Sequence, residues 1–118
     1  MATLFSKLPL SGSTNGKGIK VEEEASPGTL IHTAVAGETD MDEVWIYAQN
    51  TSDANVKLSL QWGGVAVDDL VEVTIEAEGG LALIIPGLIL QNGLVIRAFA
   101  GTANVINIFG FVNRLDVS

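Results

Sequence analysis

Cysteine is absent from this 118-residue sequence, which excludes disulfides and thiolate metal sites, so stability has to come from packing or from subunit association. Histidine occurs once, at His32, and a metal centre built on several imidazoles is excluded with it. Positive charge is scarce as well. Six Lys and Arg stand against 14 Asp and Glu, a formal net charge of −8. Such a mean field repels phosphate backbones and anionic lipid. The six cations, Lys7, Lys17, Lys20, Lys57, Arg97 and Arg114, are dispersed rather than clustered, so nucleic acid is not expected as a partner.

Long hydrophobic runs are missing too. The most apolar stretch, residues 81–90, is broken by Pro86 and Gly87 and is about half the length a membrane-spanning helix requires. The first ten residues lack the basic start and long apolar run of a secretory signal, so neither a membrane partner nor export is expected.

What is present is apolar and short-ranged. Hydrophobic residues make up 47% of the chain and charged residues 17%, enough to exclude a chain disordered throughout. The length suits one core. Short β-type runs at about 19–23, 29–35, 43–49, 56–63, 70–76, 81–86, 94–100 and 104–112 alternate with Gly, Asn, Asp, Ser and Pro clusters. That spacing belongs to a sandwich or barrel, and helical spacing is not sustained anywhere.

The alternation is clearest where Val56, Leu58, Leu60 and Trp62 share one face and Lys57, Ser59 and Gln61 the other, predicting one core face and one wet face. Val71, Val73 and Ile75 stand opposite Glu72, Thr74 and Glu76 in the same way. Residues 44–48 and 81–85, by contrast, are apolar on both faces, which implies a central position or cover from another subunit. The expected fold class is all-β, a jelly-roll-like antiparallel β-sandwich of about eight strands with an extended N-terminal arm. A seven-stranded immunoglobulin-like sandwich is the alternative.

Residues 1–28 read as that arm with a first short strand, and residues 29–118 as the sandwich. The arm carries Ser11, Gly12, Asn15, Gly16 and Gly18 with no sustained period, as an extended or mobile segment does. Its Leu4, Phe5, Leu8 and Leu10 are too apolar for a solvated tail and need a surface to cover them.

Few residues could carry chemistry. His32 sits among residues that alternate across a strand, with no local motif supplying a nucleophile or an orienting carboxylate; a structural or interface role is expected, and no enzyme. Asp40, Asp42, Glu43, Asp53, Asp68 and Asp69 fall in predicted turns, where oxygen ligands for calcium could gather, but they miss the EF-hand pattern and acidic turn residues commonly solvate a loop. No cofactor or metal is expected. The Gly-rich stretch at 12–18 misses the phosphate-loop spacing and reads as a linker. Trp45, Tyr47 and Trp62 could form a sugar-stacking platform, yet each lies in a strongly apolar strand, where core or interface packing is the ordinary role.

Four segments carry a family resemblance: Asp42-Glu43-Val44-Trp45-Ile46-Tyr47-Ala48-Gln49-Asn50-Thr51-Ser52, Leu58-Ser59-Leu60-Gln61-Trp62-Gly63-Gly64, Ile85-Pro86-Gly87-Leu88 and Asn104-Val105-Ile106-Asn107-Ile108-Phe109-Gly110-Phe111-Val112-Asn113-Arg114. Together they resemble small head-decoration or cement proteins of tailed bacteriophages, over most of the chain from about residue 29. The resemblance implies a jelly-roll-like structural virion protein, made in the host cytoplasm, that self-associates as a homotrimer and clamps major capsid protein subunits on the outer surface of the capsid. In that picture Leu4, Phe5, Lys7, Leu8 and Leu10 are the expected capsid contacts, and Trp45, Tyr47, Phe109 and Phe111 the expected subunit interface. A carbohydrate- or receptor-binding module of a phage tail or fibre is the alternative.

Overall fold

The period-two pattern at residues 56–62 becomes a real strand pair. In the computed structural model, which describes residues 3–117, the strands are β1 (Thr3–Pro9), β2 (Ile19–Lys20), β3 (Thr29–Thr33), β4 (Met41–Asn50), β5 (Val56–Trp62), β6 (Leu70–Ile75), β7 (Ala82–Leu90), β8 (Val95–Ala100) and β9 (Ile106–Val117). A single 3-10 turn, Val67–Asp69, leads into β6. Among the described residues no helix is long and apolar enough to cross a membrane.

The strands form two antiparallel sheets. Sheet A has the order β1-β9-β4-β7, with β2 continuing the β1 edge along β9, and sheet B has the order β3-β8-β5-β6. From β2 onward the chain changes sheet at every connection except β5 to β6. That interleaving is the order of a jelly roll, and it decides against the immunoglobulin-like alternative, in which several consecutive strands stay in one sheet.

Between the sheets lies one core. Val44, Ile46 and Ala48 of β4 and Ile106, Ile108 and Val112 of β9 are buried from one side, Leu58 and Leu60 of β5 and Ile96 and Ala98 of β8 from the other. Each fully buried Leu or Ile contributes about 1.5–3 kcal/mol relative to an exposed one, which is how a chain without cysteine holds together.

The N-terminal segment differs from expectation. It is extended, but Thr3–Pro9 is paired in register along β9, from Thr3 opposite Val117 to Pro9 opposite Phe111. Leu10, Ile19 and Val21 belong to the common core, so residues 1–28 are not an arm set beside a 29–118 sandwich; within the described residues they are woven into it. The root of this segment is stapled to β3: Gly12 N–H donates to the Ile31 carbonyl and Thr33 N–H to the Ser11 hydroxyl.

The wet face expected for β5 is also corrected. Ser59 and Gln61 are buried: Ser59 donates to Glu72 Oε2 of β6, and the loop before β3 crosses over Gln61. Gly28 N–H donates to Gln61 Oε1, Gln61 Nε2 donates to Ser26 Oγ, and Arg97 donates to the Gly28 carbonyl. The loop lies so close that a Cβ on Gly28 would sit 2.3 Å from the Ala98 carbonyl oxygen. Only glycine permits that approach.

Candidate functional site

On β4 and β9 the odd-numbered side chains point away from the core. Register then aligns the four aromatics grouped from sequence: Trp45 lies opposite Phe111, and Tyr47 opposite Phe109. The Trp45 and Phe111 rings stack with centroids 6.1 Å apart and planes inclined by 11°. Lys7 from β1 reaches over the Phe111 ring, its Nζ 4.9 Å from the centroid, a cation–π contact. Glu43 Oε1 accepts from Trp45 Nε1 at 2.8 Å and from Asn113 Nδ2 at 2.9 Å. These two hydrogen bonds hold the Glu43 carboxyl below the usual glutamate range.

Backbone contact sets the spacing of this face. Gly110 lies opposite Ile46, and a Cβ there would come within 2.1 Å of the Trp45 carbonyl oxygen. Gly18 admits the Phe109 ring, since a Cβ would stand 2.7 Å from it. The doubly apolar reading of β4 therefore resolves into two parts. Its inner side chains are buried, while Trp45 and Tyr47 are half-buried on the outer face, over which no strand of the described residues is stacked.

The face continues to both sides. Towards β1, a notch of about 140 Å³ is lined by Phe5, Met41, Glu43, Ile89, Asn113 and Leu115, and Phe5 is 75% exposed. Towards β7, Leu83 lies opposite Tyr47 and Pro86 opposite Trp45. Of the outward positions named here, Glu43 is the only carboxylate, in a chain that has 14. Depletion of charge with enrichment of aromatics is the signature of an interface core.

Leu4, Phe5 and Lys7 are exposed and Leu8 is half-buried, packed on the core. Leu10 is a correction: at 1% exposure it is part of the chain's own core and is not presented to a partner. Trp62 is another, because it packs against the core from sheet B and does not join Trp45 and Tyr47, so the three-ring platform is not formed.

Sequence reasoning missed a buried polar network. Asp42, read as a turn carboxylate, lies within β4 and is fully buried. Its Oδ1 accepts from Arg114 Nε at 2.8 Å, and its Oδ2 accepts from Arg114 Nη2 at 3.0 Å, from His32 Nε2 at 2.8 Å and from Val35 N–H. Burial pushes the Asp42 carboxyl up, but the hydrogen bonds from Arg114 and His32 outweigh it and leave it below the ordinary aspartate value. His32 Nδ1 accepts from Ser11 N–H, so the ring proton sits on Nε2. Burial, with Arg114 nearby, keeps this imidazole below the ordinary histidine value despite its carboxylate partner. The network ties the N-terminal segment, β3, β4 and β9 together; its His32 and Asp42 are buried, and Arg114 reaches it from the surface.

Among the described residues no three of His, Cys, Asp and Glu gather to hold a metal ion. Comparisons with protein-family models, with curated proteins and with solved structures find no match.

Proposed function

We propose that this chain is a structural virion protein that decorates or cements the head of a tailed bacteriophage, binding assembled major capsid subunits through the outer face of sheet A and the adjoining end of β1. The observation that carries the reading is the half-buried aromatic row Trp45, Tyr47, Phe109 and Phe111 on the outer face of sheet A, with exposed Phe5 beside it. A chain this acidic gains nothing by showing such a row to water, and contiguous exposed apolar patches mark contact sites. The segment resemblance described above supplies the class of partner, and jelly-roll order is compatible with it by analogy only.

The mechanism asks for no turnover. A protein that binds only the assembled lattice stabilises that lattice by mass action, and several weak contacts on one assembly multiply into tight attachment.

The alternative, a carbohydrate- or receptor-binding module of a tail or fibre, draws support from the same rings. It is the weaker reading, because Phe111 is already engaged by Trp45 and by Lys7, leaving less free ring surface for a sugar.

Antibody raised against the purified protein, applied to particles produced from the genome that encodes it and viewed by electron microscopy, tests the proposal. Label on heads is the expected result. Label on tail fibres would favour the alternative, and protein found only in the soluble lysate, with particles unlabelled, overturns both.

A further inference from the structure

Charge is laid down along this chain in blocks, and the fold turns the blocks into opposite edges. Residues 1–21 contain Lys7, Lys17 and Lys20 and no carboxylate, whereas residues 58–96 contain five carboxylates and neither Lys nor Arg. The first block builds β1 and β2, one lateral edge of sheet A. The second builds most of β5 and then β6 and β7, the edge strands of the two sheets on the other side. Lys57 of β5 pairs with Glu72 there, which leaves Glu76 and Glu78, among the described residues, as the unpaired carboxylates following β6.

Both edges are accessible and both are greasy. The three lysines are exposed and belong to no salt bridge among the described residues. Beside them Leu4 is 58% and Phe5 75% exposed. Across the molecule, Glu76 and Glu78 are exposed, and β6 and β7 part to leave a groove of about 250 Å³ whose walls include Val73, Ile75, Glu76, Leu83 and Ile84.

We propose that copies of this chain associate head to tail, the β1–β2 edge of one seated on the β6–β7 edge of the next, with Phe5 entering the groove and Lys7 facing Glu76. The occupant is a second copy because the two edges complement each other in charge while each is self-repelling. Pairing β1 with β1 about a two-fold axis would set lysines against lysines, and pairing the β6–β7 edges would set carboxylates against carboxylates, which costs association energy. A contact between different patches is heterologous, so it closes into a ring or grows as a filament. Glu22, Glu23 and Glu24 follow β2 beyond the lysine block and limit the contact to the part of that edge between Phe5 and Lys20. This inference does not rest on the head-decoration reading; in the association it describes, Phe5 is taken by the next copy and the outer face of sheet A is left to the capsid.

Light scattering on the purified full chain, at low and at high salt, with Lys7→Glu, Glu76→Lys and the K7E/E76K double variant, tests it. The expected result is an oligomer that weakens with salt as surface charges are screened. Each single variant should associate at least about tenfold more weakly, the scale of one close charge pair, while keeping the wild-type circular dichroism spectrum. The double variant, with the pair reversed, should regain association. A wild-type chain that is monomeric at every concentration overturns the proposal, as does an oligomer whose mass ignores both single substitutions or a double variant no better than either parent.

Discussion

Arg114 of β9 grips Asp42 of β4 through two hydrogen bonds, Nε to Oδ1 at 2.8 Å and Nη2 to Oδ2 at 3.0 Å, and the carboxylate it holds is fully buried while the Arg114 side chain is 31% exposed. Removing the cation strands the anion. Arg114→Met should therefore cost about 3 kcal/mol, the low end for breaking a buried pair because Arg114 itself is partly hydrated. Asp42→Asn keeps the shape and should cost less. Urea denaturation of both variants reads the difference.

The same network predicts how stability depends on pH. His32 is held below the ordinary value of 6.5 by burial, so the unfolded chain takes up its proton first. Stability from this group is full above about 6.5 and is lost as pH falls through the lower folded value. Protonation would also set a new N–H at Nδ1 against the Ser11 N–H that now donates to it. Asp42, likewise depressed, adds a second loss at more acid pH, below the aspartate range. The urea midpoint of the wild-type protein should fall between pH 8 and pH 5, and that of His32→Gln should start lower and change less over the same interval.

This network also marks where sequence reading stopped. Asp42 looked like a turn carboxylate because its partners His32 and Arg114 lie 10 and 72 residues away, and no local pattern records a pairing set by topology. Ser59 and Gln61 followed the polar half of a clean alternation, yet both are buried, Gln61 under a loop held by Gly28. The inner face of β5, by contrast, was fully legible, since burial alone fixes it. The shared face of Trp45, Tyr47, Phe109 and Phe111 was not, since alternation places them together only once β4 and β9 are paired. β1 escaped notice because Phe5, Lys7 and Pro9 on one face and Leu4, Ser6 and Leu8 on the other show no contrast in polarity. β7 was cut short at Pro86, a residue that an edge strand with shifted register tolerates.

Gly110 should be among the least replaceable residues. Its missing Cβ lets β9 approach the Trp45 carbonyl, and that approach is what brings Phe111 over Trp45. Gly110→Ala has backbone in its way rather than a movable side chain, so overpacking should cost about 1–3 kcal/mol and disturb the ring stack. Near-ultraviolet circular dichroism reports the stack, and thermal unfolding reports the cost.

Leu10 and Leu4 separate the two roles of the N-terminal segment. Leu10 is 1% and Leu4 58% exposed, so Leu10→Ala should destabilise by about 2–5 kcal/mol as a core truncation, while Leu4→Ala should stay within about 0.5 kcal/mol as a surface change. Truncations extend the contrast. Deleting residues 2–7 removes most of β1 but spares Leu8, Leu10 and the Ser11 contacts to β3, and the shortened chain should still unfold cooperatively. Deleting residues 2–18 takes away Leu10 and the N–H that caps His32, and should leave a protein that no longer folds at ambient temperature. A cooperative transition for the longer deletion would show that the sandwich from β2 onward is self-sufficient and that Leu10 is dispensable to the core it occupies.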